Sequence, residues 1–304
     1  RSRIVTSGLD APRGLAILND VLYVTDLGPL PCPRIYCKGI DLPGYGYYEG
    51  AAKILRESNG SILAFDVLAD GSLNNKRAIV TGLPTANFAH GANGITVGPD
   101  GLLYVSIGGV EGLYDRPDIV DAIEGPKLDF LGTVIRLKPD GSGLEIFAEG
   151  LRNVYALTFD DHGLLWGVDN DGKTMGGWHR EEVLQIKRGS NYGYPFEGTF
   201  GPHKIRNDNP VWIMDGVGSG GIEWAGKFGL EPGLIVGGCT NLRYLPLVDY
   251  DNGRFLEDRN DSTLMATIPG CVTIIEPAPE QIMLIGVFDT DLLYSFKLVV
   301  HPQQ

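Results

Sequence analysis

GLPTANFAHGANGITVGPDGLLYVSIGG, residues 82–109, reads as a turn carrying a lone histidine, an apolar strand, a Pro-Asp-Gly turn and a second apolar strand. The same order recurs in GLDAPRGLAILNDVLYVTDLG (8–28) and in GLRNVYALTFDDHGLLWGVDNDG (150–172). Each copy is followed by a further strand and turn: GSILAFDVLADGS (60–72), GTVIRLKPDGSG (132–143) and EEVLQIKRGSN (181–191). A fainter copy starts at GGIEWAGKFGLEPGLIVGGC (220–239), and a last one at CVTIIEPAPEQIMLIGVFDTDLLYSFKLV (271–299). Runs of Val, Ile, Leu and Tyr broken by Gly and Asp turns are strand grammar, and four short strands per repeat make a propeller blade.

The expected fold is therefore all-β: a β-propeller of four-stranded antiparallel blades filling one domain, residues 1–304. Unit starts near 8, 82, 150, 220 and 270 give five blades. The Gly/Pro/Asn-rich stretch 191–219 reads as a long loop, or as a hidden sixth blade, and 29–56 reads as a loop insertion. RSRIVTSG at the start resembles KRAIVTG (76–82), a fourth strand, so the N-terminal strand is expected to close the ring by completing the last blade.

Composition narrows the partners. A net charge of −13 opposes binding to nucleic acid or anionic membrane. No apolar run is long enough to span a bilayer. The chain opens without a signal peptide, as a mature or trimmed protein would. Cys32 and Cys37 lie close together in CPRIYC, while Cys239 and Cys271 fall in neighbouring units. Two disulfides are the expectation, with an oxidising, secreted or periplasmic location; four buried thiols are the alternative. Asn59-Gly-Ser and Asn260-Asp-Ser are glycosylation acceptors by pattern, consistent with a secreted glycoprotein.

Aligning the first strands by GLAI (14–17), GITV (94–97) and ALTF (156–159) puts Asp10, His90 and Arg152 at equivalent positions. One step on stand Ala11, Gly91 and Asn153; three on stand Arg13, Asn93 and Tyr155. First strands line a propeller's channel, so these turns share one face. His90 offers a base near neutral pH, Arg152 and Arg13 clamp anions, and Asn93 and Asn153 are neutral donors. Polar turn residues at a wet channel mouth would look the same. A second cluster, Asp169, Asn170, Asp171, Glu181 and Glu182, supplies the hard oxygens that suit calcium, or is a solvated acidic loop. His162, His179, His203 and His301 read as turn or tail residues, and no nucleophile elbow, dinucleotide fingerprint or P-loop occurs.

Three segments carry a resemblance to the soluble quinoprotein glucose/sorbosone dehydrogenase family, which includes aldose sugar dehydrogenases: HGANGITVGPDGLLYVSIGG, GLRNVYALTFDDHGLLWGVDNDG and EEVLQIKRGSNYGYP. The resemblance covers residues 60–195 in the family's order. It implies pyrroloquinoline quinone (PQQ) held with calcium on the propeller face. His90 would take the sugar hydroxyl proton while hydride passes to the quinone. Arg152 and Asn153 would contact the cofactor, with Asn93 and Arg13 beside them, and calcium sites would map near Asp171, Gly172, Glu182 and Tyr192. The chain departs from the pattern at Asn93 (Arg in the family), Val154 (Pro), Glu181-Glu182 (Asp-Glu) and Tyr194 (Trp). Only one unit precedes the histidine motif, where the family has two blades, and Arg243 is the one further cation that suggests itself as a cofactor ligand. Two other readings stay open: a non-catalytic extracellular propeller serving binding, structural assembly or self-association, and a calcium-dependent lactonase-like hydrolase using Asp10, Asn93 and Asn153.

Overall fold

A computed structural model of the chain describes residues 4–29, 55, 57–85, 90–109, 129–173, 179–194, 210–215, 220–249, 254–255, 262–278, 282–288 and 293–297. It divides into two compact units, Arg1–Asn153 with Arg188–Glu197, and Val154–Lys187 with Gly198–Gln304.

The first unit holds two four-stranded antiparallel sheets. β1 (Pro12–Leu18), β2 (Val21–Asp26), β3 (Gly60–Val67) and β4 (Leu73–Leu83) pair in chain order. So do β5 (Ala92–Val97), β6 (Leu103–Ile107), β7 (Thr133–Leu137) and β8 (Glu145–Ala148). The turns follow from the residues in them. Asn19 (φ 50°) and Asp20 (φ 58°) form the two-residue hairpin between β1 and β2, where Leu18 pairs with Val21. Both central residues of such a turn need positive φ, which Asn and Asp tolerate. The Pro-Asp-Gly turn between β5 and β6 closes through Gly101 N–H donating to the Gly98 carbonyl (2.9 Å). Tyr23, Ile62, Leu83, Ile95, Leu103, Val105 and Ile135 form the core shared by the two sheets. Burying side chains of this size contributes about 1.5–3 kcal/mol each before entropy is subtracted.

The second unit opens with a third four-stranded sheet: β9 (Val154–Phe159), β10 (Leu165–Lys173), β11 (His179–Ile186) and β12 (Trp212–Asp215). Trp212–Asp215 lies inside the stretch expected to be loop, and it completes this sheet instead of belonging to a sixth blade. Then follow β13 (Ile222–Trp224), a 3-10 turn at Ala225–Phe228, β14 (Gly233–Gly237), β15 (Cys239–Asp249), β16 (Arg254–Phe255), β17 (Thr263–Ala278), β18 (Ile282–Phe288) and β19 (Leu293–Lys297). They make one seven-stranded sheet, ordered β13-β14-β15-β17-β18-β19, with β16 on β15. Trp166, Val168, Trp212, Ile222, Trp224 and Leu234 build one core of this unit, and Ile235, Ile268, Val272, Ile275 and Ile285 another.

Two expectations change here. The fourth and fifth repeats are not separate sheets, because β17 runs unbroken through the boundary expected at 270. It pairs with β15 as far as Cys271 and with β18 from Cys271 onward. Pro269-Gly270 sits at this handover, where a missing N–H costs no ladder bond. At the other end, residues 4–9 carry no strand pairing and Ile4 is 90% exposed, so no closing N-terminal strand is seen among the described residues.

Cys239 and Cys271 are cross-strand neighbours on β15 and β17 and form a disulfide. Cys32, Cys37, Asn260, His203, His301 and nearly all of the 29–56 insertion lie outside the described residues. Among the described residues no helix is long and apolar enough to cross a membrane.

Candidate functional site

The site in the first unit is built where strand ends meet. Ala92 pairs with Ile107, so the turn at His90-Gly91 stands opposite Gly108-Gly109 at the end of β6. Gly108 N–H donates to the Gly91 carbonyl (2.9 Å), and His90 Nδ1 lies 2.7 Å from the Gly109 carbonyl oxygen. His90 is buried, at 8% exposure. Gly91 has no room for a side chain, since a Cβ would come 2.5 Å from a Leu27 methyl.

Asn93 and Asn153 are almost fully buried and joined, with Asn93 Nδ2 donating to Asn153 Oδ1 (2.9 Å). Buried amides are retained where hydrogen bonds satisfy them. The Asn93 carbonyl accepts from the Thr25 hydroxyl (2.6 Å), which itself accepts from Gly14 N–H (2.7 Å). Gly14 lies so close that a Cβ would stand 2.5 Å from the Asn93 carbonyl oxygen. This contact brings β1 onto β5, with half-buried Arg13 the residue next to Gly14 in the chain. Asp26 fixes the entry to β1, accepting from the backbone N–H groups of Asp10 (3.0 Å), Ala11 (2.9 Å) and Gly28 (3.0 Å).

Half-buried Arg152 joins through its backbone, its carbonyl accepting from Gly109 N–H (2.6 Å). The Asn191-Tyr192-Gly193-Tyr194 segment docks on Glu149-Gly150. Tyr192 N–H donates to the Glu149 carbonyl (3.0 Å) and Tyr194 N–H to the Gly150 carbonyl (2.9 Å). The Tyr194 ring reaches Gly109, where a Cβ would be 2.8 Å from its Cε1. The structure thus gathers His90, Asn93, Arg152 and Asn153, with Arg13 adjacent, and adds Gly109 and Tyr194, to which the sequence reading gave no role in the site. Asp10, at the aligned position in the first repeat, is exposed and held by its backbone.

The residues assigned to calcium are distributed differently. Asp171 and Gly172 lie on β10 and Glu182 on β11 in the second unit, whereas Tyr192 belongs to the first. Asp169 and Glu182 pair across strands and are both buried, as are Asn170 and Glu181, the next pair. Buried carboxylates opposite each other are donors of the type a hard cation takes. The side chain of Asp171 lies outside the described residues, and among the described residues no three His, Cys, Asp or Glu side chains form a metal-binding group. Arg243 is engaged by Ser262, donating to its hydroxyl (2.9 Å) within the second unit.

Sequence reasoning also missed Glu223, a lone acid in the apolar run of β13. Its buried carboxylate accepts from Trp224 N–H (2.8 Å) and the Thr158 hydroxyl, and pairs with Lys227 (2.7 Å). Nearby Glu276 is exposed by area yet crowded at its carboxyl. Desolvation there, with the charge of Glu223, pushes its pKa up to about 7, against the opposing pull of Lys227. A lone acid among apolar strand residues was the available signal for this group.

The donor set of the first unit suits a flat polyanionic ligand. An imidazole and two amides stand together, with the backbone of Arg152 joined to them through Gly109, and Arg152 and Arg13 bring positive charge to this unit.

Residues 48–197 match the family described as "Domain of unknown function (DUF7133)". No curated protein matches the sequence. Among solved structures, the PQQ-bound form of aldose sugar dehydrogenase from Streptomyces coelicolor is 21% identical, with 95% of this chain and 91% of that chain covered and a TM-score of 0.61. The holo form of the pyranose dehydrogenase PQQ domain from Coprinopsis cinerea is 12% identical, covering 97% and 94%, at 0.58. A calcium structure of a Trichoderma reesei family AA12 carbohydrate-active enzyme is 12% identical, covering 96% and 94%, at 0.56. Similarity at this level is one of architecture: the chain has the β-propeller fold of the aldose and pyranose dehydrogenases.

Proposed function

We propose that this protein is a quinone-dependent oxidoreductase that oxidises a hydroxyl of an aldose or a similar sugar. The observation that supports this most is the buried His90–Asn93–Asn153 group, tied to the backbone of Arg152 through Gly109. The donor chemistry fits PQQ, and when bound PQQ supplies the two-electron acceptor for the substrate's hydride. Arg152 and Arg13 would neutralise its carboxylates, and Asn93 and Asn153 would hold it through their amides. His90 takes the substrate hydroxyl proton at Nε2. Its Nδ1–H stays on the Gly109 carbonyl, which also stabilises the imidazolium that forms. Burial of His90 keeps bulk water from competing for the proton. Calcium sites are carried over by resemblance to Asp171, Gly172 and Glu182 in the second unit and, separately, to Tyr192 in the first, and no step depends on them. The Cys239–Cys271 disulfide supports a secreted or periplasmic location.

The test is single-turnover reduction of the PQQ-loaded protein by aldoses, followed by visible absorbance. His90→Ala is expected to slow reduction by roughly 10²–10⁴-fold while retaining PQQ affinity. Equal rates in His90→Ala and wild type would remove the proposed base and the reading with it.

A further inference from the structure

We infer that Gly109 and Tyr194 are positioning residues that hold His90 in one tautomer, protonated at Nδ1 with its lone pair at Nε2. The inference rests on the reading of His90 as a base, and deepens it by naming what makes the imidazole one.

A carbonyl oxygen only accepts hydrogen bonds, so the 2.7 Å contact between His90 Nδ1 and the Gly109 oxygen requires the proton on Nδ1. In neutral imidazole the other nitrogen then carries the basic lone pair. Water favours the opposite tautomer of a histidine side chain, so the carbonyl must be held in place to keep this one. Three contacts hold Gly109, which carries it. Gly109 N–H donates to the Arg152 carbonyl at 2.6 Å, and the preceding residue's N–H donates to the Gly91 carbonyl at 2.9 Å. On the third side stands the Tyr194 ring, close enough to exclude any side chain at residue 109, where a Cβ would also lie 3.3 Å from the Arg152 carbonyl oxygen. Tyr194 is itself fixed by its N–H on the Gly150 carbonyl (2.9 Å). The ring thus fills the volume beside the Gly109 α-carbon. Phenylalanine at 194 keeps that volume; alanine empties it.

Long-range ¹⁵N–¹H correlation spectra of the His90 ring, in the protein without cofactor, read the tautomer directly. Wild type is expected to show a protonated-type Nδ1 and an unprotonated-type Nε2. Tyr194→Ala is expected to shift both toward averaged values, and Tyr194→Phe to restore the wild-type pattern. In PQQ-loaded protein, Tyr194→Ala should lower kcat by roughly 10²-fold, as a misplaced catalytic group does, with PQQ affinity little changed. A wild-type ring protonated at Nε2 overturns the inference, as does a Tyr194→Ala spectrum identical to wild type. If Tyr194→Ala does not fold, the wild-type spectrum and that of Tyr194→Phe still decide, because Phe must preserve the Nδ1–H pattern. Should the tautomer be as inferred while no sugar reduces the loaded protein, the positioning stands and the oxidoreductase reading fails.

Discussion

Gly108 packs between two site residues: a Cβ there would stand 2.6 Å from Asn153 Oδ1 and 2.9 Å from His90 Cα. Gly108→Ala must therefore push the Asn93–Asn153 pair or the His90 backbone aside. Overpacking of this kind costs about 1–3 kcal/mol, so the urea midpoint should fall and PQQ binding weaken together. An unchanged midpoint would mean the strand ends are looser than described. His90, Asn93, Arg152 and Asn153 were legible in the sequence because the repeat places them at equivalent turns, and strand register carries that equivalence into space. Tyr194, Gly109 and Glu223 were not. Their roles come from contacts between segments far apart in the chain, and neither periodicity nor turn chemistry encodes such contacts.

The strands that sequence grammar marked were those with an apolar run between two turn signals, as in β1, β2, β5 and β6. β12 escaped because it is four residues long, Trp212–Asp215, within a Gly/Pro/Asn-rich stretch. β17 was divided wrongly because the apolar run CVTIIEP (271–277), which follows Pro269-Gly270, reads as the opening of a new unit. In the fold Pro269-Gly270 marks the point where β17 exchanges one partner strand for another. The Cys239–Cys271 disulfide crosses at that point and spans 32 residues of sequence. Cys239→Ala is expected to destabilise the second unit by about 2–4 kcal/mol, read as a lower urea midpoint that reductant does not lower further. An unaltered midpoint would show that the strand pairing alone secures the handover.

For the molecule as a whole, the repeat fixed the fold class, and the wide coverage of the sugar dehydrogenase structures agrees with it. Blade number was harder to read, because counting repeats assumes that each ends at a sheet edge and the fourth and fifth share one sheet. Stability should also report on Glu276. Its pKa is raised in the fold, from an ordinary 4.5 to about 7, so folding favours the protonated form. That contribution is fully present below about pH 4.5 and is lost as pH rises toward 7. Glu276→Gln, which cannot ionise, should flatten this part of the stability profile and raise the melting temperature near neutral pH relative to wild type. A profile identical to wild type would show that the carboxyl is not desolvated in the fold.

The central claim is that a chain of net charge −13 holds a trianionic quinone at one local group of cations and amides. The most direct measurement is equilibrium titration of the protein with PQQ by visible absorbance, with and without calcium, for wild type and Arg152→Ala. The account predicts saturable binding at one site, weakened by Arg152→Ala, with absorbance changes on adding an aldose. Absence of saturable binding at high micromolar PQQ in either condition would contradict it.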